Sequence, residues 1–240
     1  MIRSSHQGGI IRNMTTDILA AAGHPTKKID PEMVRKCIEP GATTPEAKTI
    51  AEEGRAIVRE IVGDNGPEDR IRQRCVIATG DPGFKDLLVF TSDPIKAGME
   101  AISAGASIFT DIRMVKTGII KIGHGCEIQC VLDIEGSEDI ARDRGITRTS
   151  AGFLAAGNII QDSVVVIGNA PSAAITMCRM VEFGIRPALI IAVPVGFVNA
   201  AESKDMIREL DIPTITCIGT RGGTPVAVAC MNELLVMSSF

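Results

Sequence analysis

Residues 164–172 read VVVIGNAPS, four β-branched residues followed by a turn of small residues that ends in Pro171 and Ser172. A strand that is apolar at every position is typical of a parallel sheet with both faces buried. Gly168 permits a tight turn, and Pro171 presets the backbone for a first helical turn. This stretch therefore predicts a buried strand that leads directly into a helix.

Units of the same kind recur along the chain, where short β-branched runs alternate with helical ones. The predicted strands are 75–79, 87–90, 107–110, 128–132, 164–167, 189–193 and 214–218. The predicted helices after residue 90 are 94–104, 137–142, 149–156, 172–183, 200–210 and 224–236. This alternation predicts an α/β fold in three α/β/α layers, with a mostly parallel sheet between two layers of helices.

The N-terminal part of the chain has the least regular pattern. We expect residues 1–40 to form a partly irregular extension with a short helix over 14–22, and residues 41–240 to form a single α/β domain. A further helix is predicted to begin at Pro45, because Thr44 supplies a hydroxyl at the N-cap position.

The composition excludes several classes of protein. The chain of 240 residues is 45% hydrophobic with a net charge of −4, so no excess of Lys and Arg is present to meet nucleic acid or an anionic membrane. The absence of Trp and Tyr excludes aromatic cages and base-stacking platforms. No signal peptide and no apolar run of about 18 residues are visible, so a cytoplasmic protein is expected.

The seven cysteines are odd in number and scattered, mostly within apolar runs. Cys126 and Cys130 are four residues apart, but no second ligand pair stands at the spacing of a metal site. Buried structural thiols are the favoured interpretation. A metal or redox role for Cys126 and Cys130 is the alternative, and no metal is expected.

Three predicted strands end in loops that suit an anionic ligand. Residues 168–172 contain Asn169 and Ser172 ahead of a helix whose N–H groups are expected to bind an anion. Residues 194–204 place Ser203 and Lys204 in the first turn of another helix, where a lysine opposes the dipole. Residues 219–224 combine glycines with Arg221, which can clamp a carboxylate. Each loop is also compatible with an ordinary turn between a strand and a helix.

Polar residues in other segments add to these candidates. Asp111 follows a predicted strand, and Thr147 and Arg148 stand just ahead of a predicted helix. None of the loops matches a nucleotide-binding glycine motif. The residues alone indicate an anionic small molecule, either a polycarboxylate or a phosphorylated compound.

Taken in order, these segments resemble the precorrin-8X methylmutase family of cobalamin biosynthesis over about residues 43–235. The segments that carry the resemblance are 74–81 (RCVIATGD), 110–118 (TDIRMVKTG), 146–150 (ITRTS), 167–172 (IGNAPS), 194–204 (PVGFVNAAESK) and 221–224 (RGGT). The resemblance implies a flavodoxin-like fold and a homodimer with its site near the subunit interface.

The resemblance also implies an isomerase that moves a methyl group from carbon 11 to carbon 12 of precorrin-8 or cobalt-precorrin-8. Such a shift needs no cofactor, and the protein's tasks are to orient the ring and to assist protonation. The many carboxylates of the corrinoid are then expected to be held by helix N-termini together with Arg148, Lys204 and Arg221. The substrate-binding residues that the resemblance implies are Thr79, Asp81, Asp111, Thr147, Arg148, Asn169, Ser172, Ser203, Lys204 and Arg221.

The chain departs from the family pattern at two positions. Ile77 stands where the family has the histidine to which proton donation is assigned, and Gly54 stands where the family usually has serine. Three explanations stay open: His124 supplies the proton, or orientation alone drives the shift, or the chain is a non-catalytic relative that binds a corrinoid or related tetrapyrrole. The catalytic residue is therefore left unassigned, with His124 as a weak candidate.

Overall fold

A computed structural model describes residues 42, 44–121 and 123–239. The predicted extension over 1–40 and its short helix over 14–22 lie outside these residues. Among the helices of the described ranges, none is long and apolar enough to cross a membrane.

The strands form one mixed sheet. They are β1 (Leu88–Thr91), β2 (Ile108–Thr110), β3 (Ile128–Cys130), β4 (Val164–Ile167), β5 (Leu189–Ala192) and β6 (Thr214–Cys217). The order across the sheet is β1-β6-β5-β4-β2-β3. All neighbouring strands run parallel except β1, which pairs antiparallel with β6. The predicted, mostly parallel sheet is confirmed.

The α-helices of the described ranges are α1 (Pro45–Val62), α2 (Pro67–Thr79), α3 (Pro94–Ser103), α4 (Arg113–Gly118), α5 (Ser137–Arg144), α6 (Arg148–Ala156), α7 (Pro171–Glu182), α8 (Ala200–Arg208) and α9 (Thr224–Ser238). Thr44 caps α1 as predicted, since its hydroxyl accepts a hydrogen bond from the backbone N–H of Ala47 at 3.1 Å.

The core consists of two apolar clusters, one on each face of the sheet. Val164 and Val166 belong to the cluster formed with α2, α3, α4 and α9, and Val165 and Ile167 to the cluster formed with α6, α7 and α8. Every residue of β4 is thus buried, which is why its sequence is apolar throughout. The predicted three-layer α/β/α architecture is confirmed.

The predicted strand over 75–79 is wrong, because these residues form the last turns of α2. The β-branched run CVIAT suggests a strand, but Ile71, Cys75 and Val76 recur at helical spacing and are buried in the core cluster of α9. Gly80 ends α2 in a left-handed conformation, with φ of 66°. The other six predicted strands, and every predicted helix from residue 94 onward, are present with ends displaced by at most two residues.

Candidate functional site

The strand order of the sheet reverses between the neighbouring strands β2 and β4. Ligands of open α/β sheets bind beyond the carboxyl ends of the strands at such a point. Asp111 follows β2 here and is fully buried. Its carboxylate accepts hydrogen bonds from the backbone N–H groups of Gly168 at 3.1 Å, Asn169 at 2.8 Å and Ala170 at 2.9 Å. Burial raises the pKa of Asp111, and these N–H donors oppose the increase.

The anion-binding position ahead of α7 is therefore filled by the chain's own carboxylate. The N–H groups of residues 168–170 are thus not free for a ligand, because Asp111 accepts their hydrogen bonds. Anion binding by the N–H groups of α7 itself stays a prediction. Asp111 itself positions the loop and is not exposed to a ligand. The side chain of Asn169 remains at the surface.

A cluster of hydroxyl groups joins the first turns of α6 and α7. Thr147 Oγ1 lies 2.8 Å from Ser172 Oγ and 2.9 Å from Ser150 Oγ, and Ser150 Oγ donates to the carbonyl of Ser172 at 3.0 Å. These three residues border a cavity of about 540 Å³. Arg148 points elsewhere, because its guanidinium is 2.6 Å from Glu138. Of the predicted site residues, Thr147 and Ser172 are thus brought together.

A second group of predicted residues lies beyond the ends of α2 and β6. Arg221 forms an ion pair with Asp81 and stacks over the ring of Phe84, with 4.9 Å from its guanidinium carbon to the ring centroid. Asp81 also accepts from the N–H of Gly83, and the backbone N–H of Asp81 donates to Thr79 Oγ1 at 3.3 Å. Thr79, Asp81 and Arg221 thus form one polar group.

Lys204 and Ser203 are both fully buried, contrary to the expectation that they face a ligand. Lys204 Nζ donates to the carbonyl of Arg221 at 2.7 Å and to Cys217 Sγ at 3.5 Å. Ser203 Oγ donates to the carbonyl of Ala200 at 3.2 Å. Burial lowers the pKa of Lys204. Lys204 therefore fixes the loop that carries Arg221, although its position early in α8 suggested a charge reserved for an anion.

The two departures from the family pattern lie in one apolar cleft between α1 and α2. This cleft has a volume of about 310 Å³ and is lined by Gly54, Ile57, Val58, Ile61, Val76, Ile77, Gly80 and Pro82. The side chain of Ile77 is 42% exposed. None of the residues that line this cleft carries a side-chain proton donor.

His124 lies in the loop before β3. It does not line this cleft, nor does it line the neighbouring cavity that Ile77 also borders. Its Nδ1 accepts from the N–H of Cys126 at 3.2 Å, which leaves the ring proton on Nε2, 2.6 Å from the carbonyl of Ile120. His124 therefore holds its own loop together in this structure.

Ile77 also borders a second cavity, of about 300 Å³, which we call the arginine cavity. It is lined by Arg55, Arg59, Asp64, Arg70, Gln73, Arg74, Ile77 and Glu233. Glu233 is 2% exposed and lies 2.7 Å from Arg70 and 2.9 Å from Arg74. This cluster was not among the predicted site residues. Two signals pointed to it: pairs of arginines four residues apart on α1 and α2, and a single acid within the apolar run of α9.

The cysteines of the described residues, Cys75, Cys126, Cys130, Cys178, Cys217 and Cys230, are buried free thiols. Burial raises the pKa values of Cys126 and Cys130 and raises that of Cys178 to about 11. In the described ranges no group of three or more His, Cys, Asp or Glu side chains is placed to hold a metal ion.

We expect these six thiols to resist alkylation in the folded protein. At pH 8 a thiol with a pKa of about 11 is ionised in only about one molecule in a thousand, against roughly a quarter for an ordinary cysteine. Treatment with iodoacetamide at pH 8 and peptide mapping should show modification of Cys178 at least 100-fold slower in buffer than in urea. Equal rates in the two conditions would show that Cys178 is accessible.

These features define a class of protein: a flavodoxin-like α/β/α protein with polar groups beyond the carboxyl ends of its strands and a cationic cavity beside an apolar cleft. The Precorrin-8X methylmutase (CbiC) family model matches residues 49–237. The chain belongs to this family.

Individual relatives agree with the family match. A cobalt-precorrin-8 methylmutase of Methanocaldococcus jannaschii is 41% identical over 205 residues, which cover 81% of this chain and 96% of the relative. A cobalt-precorrin-8 methylmutase of Methanothermobacter thermautotrophicus is 36% identical, over 82% of this chain and 97% of the relative. The crystal structure of a precorrin-8x methyl mutase from Thermus thermophilus is similar, with a TM-score of 0.72 and 32% identity over 79% of this chain and 97% of the other.

Proposed function

We propose that this protein is a corrin-ring methylmutase, which moves a methyl group from carbon 11 to carbon 12 of precorrin-8 or cobalt-precorrin-8. The observation that carries the proposal is the 41% identity to a cobalt-precorrin-8 methylmutase, extending over 96% of that relative. We further propose that the protein is a cytoplasmic homodimer with its site near the subunit interface. In this proposal each subunit consists of a single domain over 41–240 and an extension over 1–40.

The chemistry of the site supports a ligand with an apolar ring and acidic side chains. The cleft at Ile77 offers apolar surface, and arginines lie directly beside it. Methyl migration within one molecule needs neither a nucleophile nor an electron carrier, so binding and orientation are the main tasks of the protein. In this proposal Thr79, Asp81 and Arg221 contribute as one polar group, and Thr147 and Ser172 as another.

The second candidate function is binding of a corrinoid without turnover. One observation favours it: Ile77 and Gly54 line the same cleft, and neither can donate a side-chain proton there. General acid catalysis typically contributes about 10²–10⁴-fold to a rate, so a chain without this contribution converts its ligand slowly or not at all.

Incubation of the purified protein with precorrin-8, and separately with cobalt-precorrin-8, tests the proposal. We expect the absorption spectrum of the rearranged product to appear faster than in a protein-free sample. A parallel titration measures binding of hydrogenobyrinate, the cobalt-free product. Binding without turnover would replace the methylmutase by the second candidate, and absence of both would reject a corrinoid function.

A further inference from the structure

Three cationic side chains expected to meet carboxylates of the ligand are already engaged within the protein. Arg148 is 2.6 Å from Glu138, and Arg221 is paired with Asp81. Lys204 is fully buried and donates to the carbonyl of Arg221. Each of these three charges has a partner within the protein, and further positive charge for a polycarboxylate lies on another part of the surface.

The arginine cavity supplies that charge. Four guanidinium groups and two carboxylates line it, so its walls carry two positive charges in excess. Glu233 is shared by Arg70 and Arg74, since its two oxygens lie 2.7 Å and 2.9 Å from their nitrogens. The other carboxylate, Asp64, is paired with Arg59 at 3.2 Å.

The fold holds these arginines in place. Arg55 and Arg59 are four residues apart on α1, and Arg70 and Arg74 are four residues apart on α2, so each pair shares one face of its helix. Gln73 joins the two helices, because its side-chain amide donates to the carbonyl of Gly63 in the turn between them. The positive charge is therefore carried by two neighbouring helices that this hydrogen bond joins.

Ile77 borders both the arginine cavity and the apolar cleft. A ligand that spans this boundary presents an apolar edge to the cleft and an acidic group to the arginines. The peripheral acetate and propionate groups of a corrinoid, set around an apolar ring, have this arrangement. Guanidinium groups suit carboxylates because the two can form paired hydrogen bonds.

We propose that the arginine cavity is a carboxylate subsite, in which Arg55 and Arg59 bind acidic side chains of the corrinoid while one edge of its ring lies against Ile77. This assignment rests on the proposed function, and it places substrate recognition on α1. Arg70 and Arg74 hold Glu233 and set the shape of the cavity floor.

The test compares an acidic ligand with a neutral one on two matched variants. Hydrogenobyrinate and its analogue with every carboxylate converted to a primary amide are titrated against the wild-type protein, Arg55→Gln/Arg59→Gln, and the control Arg142→Gln/Arg186→Gln. The control removes two surface arginines that have their own acidic neighbours, at Asp139 and Asp211. Both variants lose the same amount of charge.

We expect Arg55→Gln/Arg59→Gln to weaken binding of the acid by about 10- to 100-fold, as the loss of charge-assisted hydrogen bonds requires. Its affinity for the amide should stay within about twofold of the wild-type value, and the control should bind both ligands normally.

Two results would overturn the subsite. Unchanged affinity of Arg55→Gln/Arg59→Gln for the acid would place the carboxylates elsewhere and leave the proposed function standing. Equal weakening for the acid and the amide would show that the two arginines only maintain the fold. Failure of the wild-type protein to bind hydrogenobyrinate would instead reject the proposed function and the subsite with it.

Discussion

A histidine introduced at position 77, together with Gly54→Ser, is expected to raise the rate of methyl migration by about 10²–10⁴-fold. Ile77 is 42% exposed and borders both the apolar cleft and the arginine cavity, so a side chain there reaches the bound ligand in our proposal. Gly54 has open space at its Cβ position, so Ser fits without displacing a neighbour. The rate of product formation from precorrin-8 measures the effect.

The pH profile of Ile77→His distinguishes proton donation from a change in packing. Nearby guanidinium groups, Arg74 among them, disfavour a second positive charge and therefore lower the histidine pKa below its usual value of about 6.5. Since only the protonated ring donates, the added rate should disappear as the pH rises through that lowered pKa. Ile77→Gln is the control, because it is polar but does not titrate. An equal gain from Gln would contradict proton donation.

Replacing Asp111 by alanine is expected to lower the free energy of unfolding by about 3–5 kcal/mol. Three backbone N–H groups, those of residues 168–170, would lose their acceptor, and each unsatisfied buried donor costs roughly 1–3 kcal/mol. The loss falls short of the full sum because the buried carboxylate also carries a desolvation penalty that alanine removes. Urea denaturation followed by circular dichroism gives the measurement.

Two comparison variants sharpen this prediction. Asp111→Asn keeps one oxygen acceptor and should cost less, about 1–2 kcal/mol. Asp133→Ala, which removes a half-exposed acid from an ion pair with Arg113, should cost less than about 1 kcal/mol. If Asp111→Ala were no more destabilising than Asp133→Ala, the loop ahead of α7 would not depend on the buried carboxylate.

The sheet was predictable from the sequence because burial on both faces leaves a direct mark on composition. The predicted bounds of β4 match the structure because Val164–Ile167 has no polar residue that could belong to a helix surface. The prediction of a strand over 75–79 was wrong because β-branched residues favour strands. Packing of Ile71, Cys75 and Val76 against α9 nevertheless stabilises a helix there. Local propensity does not contain that tertiary contact.

The site was only partly predictable, because residue type does not indicate which group a charged side chain will pair with in the folded protein. Asp111 and Lys204 were chosen for their chemistry, but both are buried and bonded to the loops beside them. The arginines of α1 and α2 were not among the predicted site residues. Their role as one cluster depends on Glu233, which lies about 160 positions further along the chain.

The two edges of the sheet also restrict how this protein can assemble. β3 has three residues and β1 has four, and a 3₁₀ turn over Val131–Asp133 follows β3 at once. Edges this short give an incoming chain few backbone groups to pair with, a common protection against aggregation through strand addition. For the residues that the structure describes, we therefore expect that any association between copies uses helices and loops, whose side chains determine the choice of partner, and that continuation of the sheet into fibres is disfavoured.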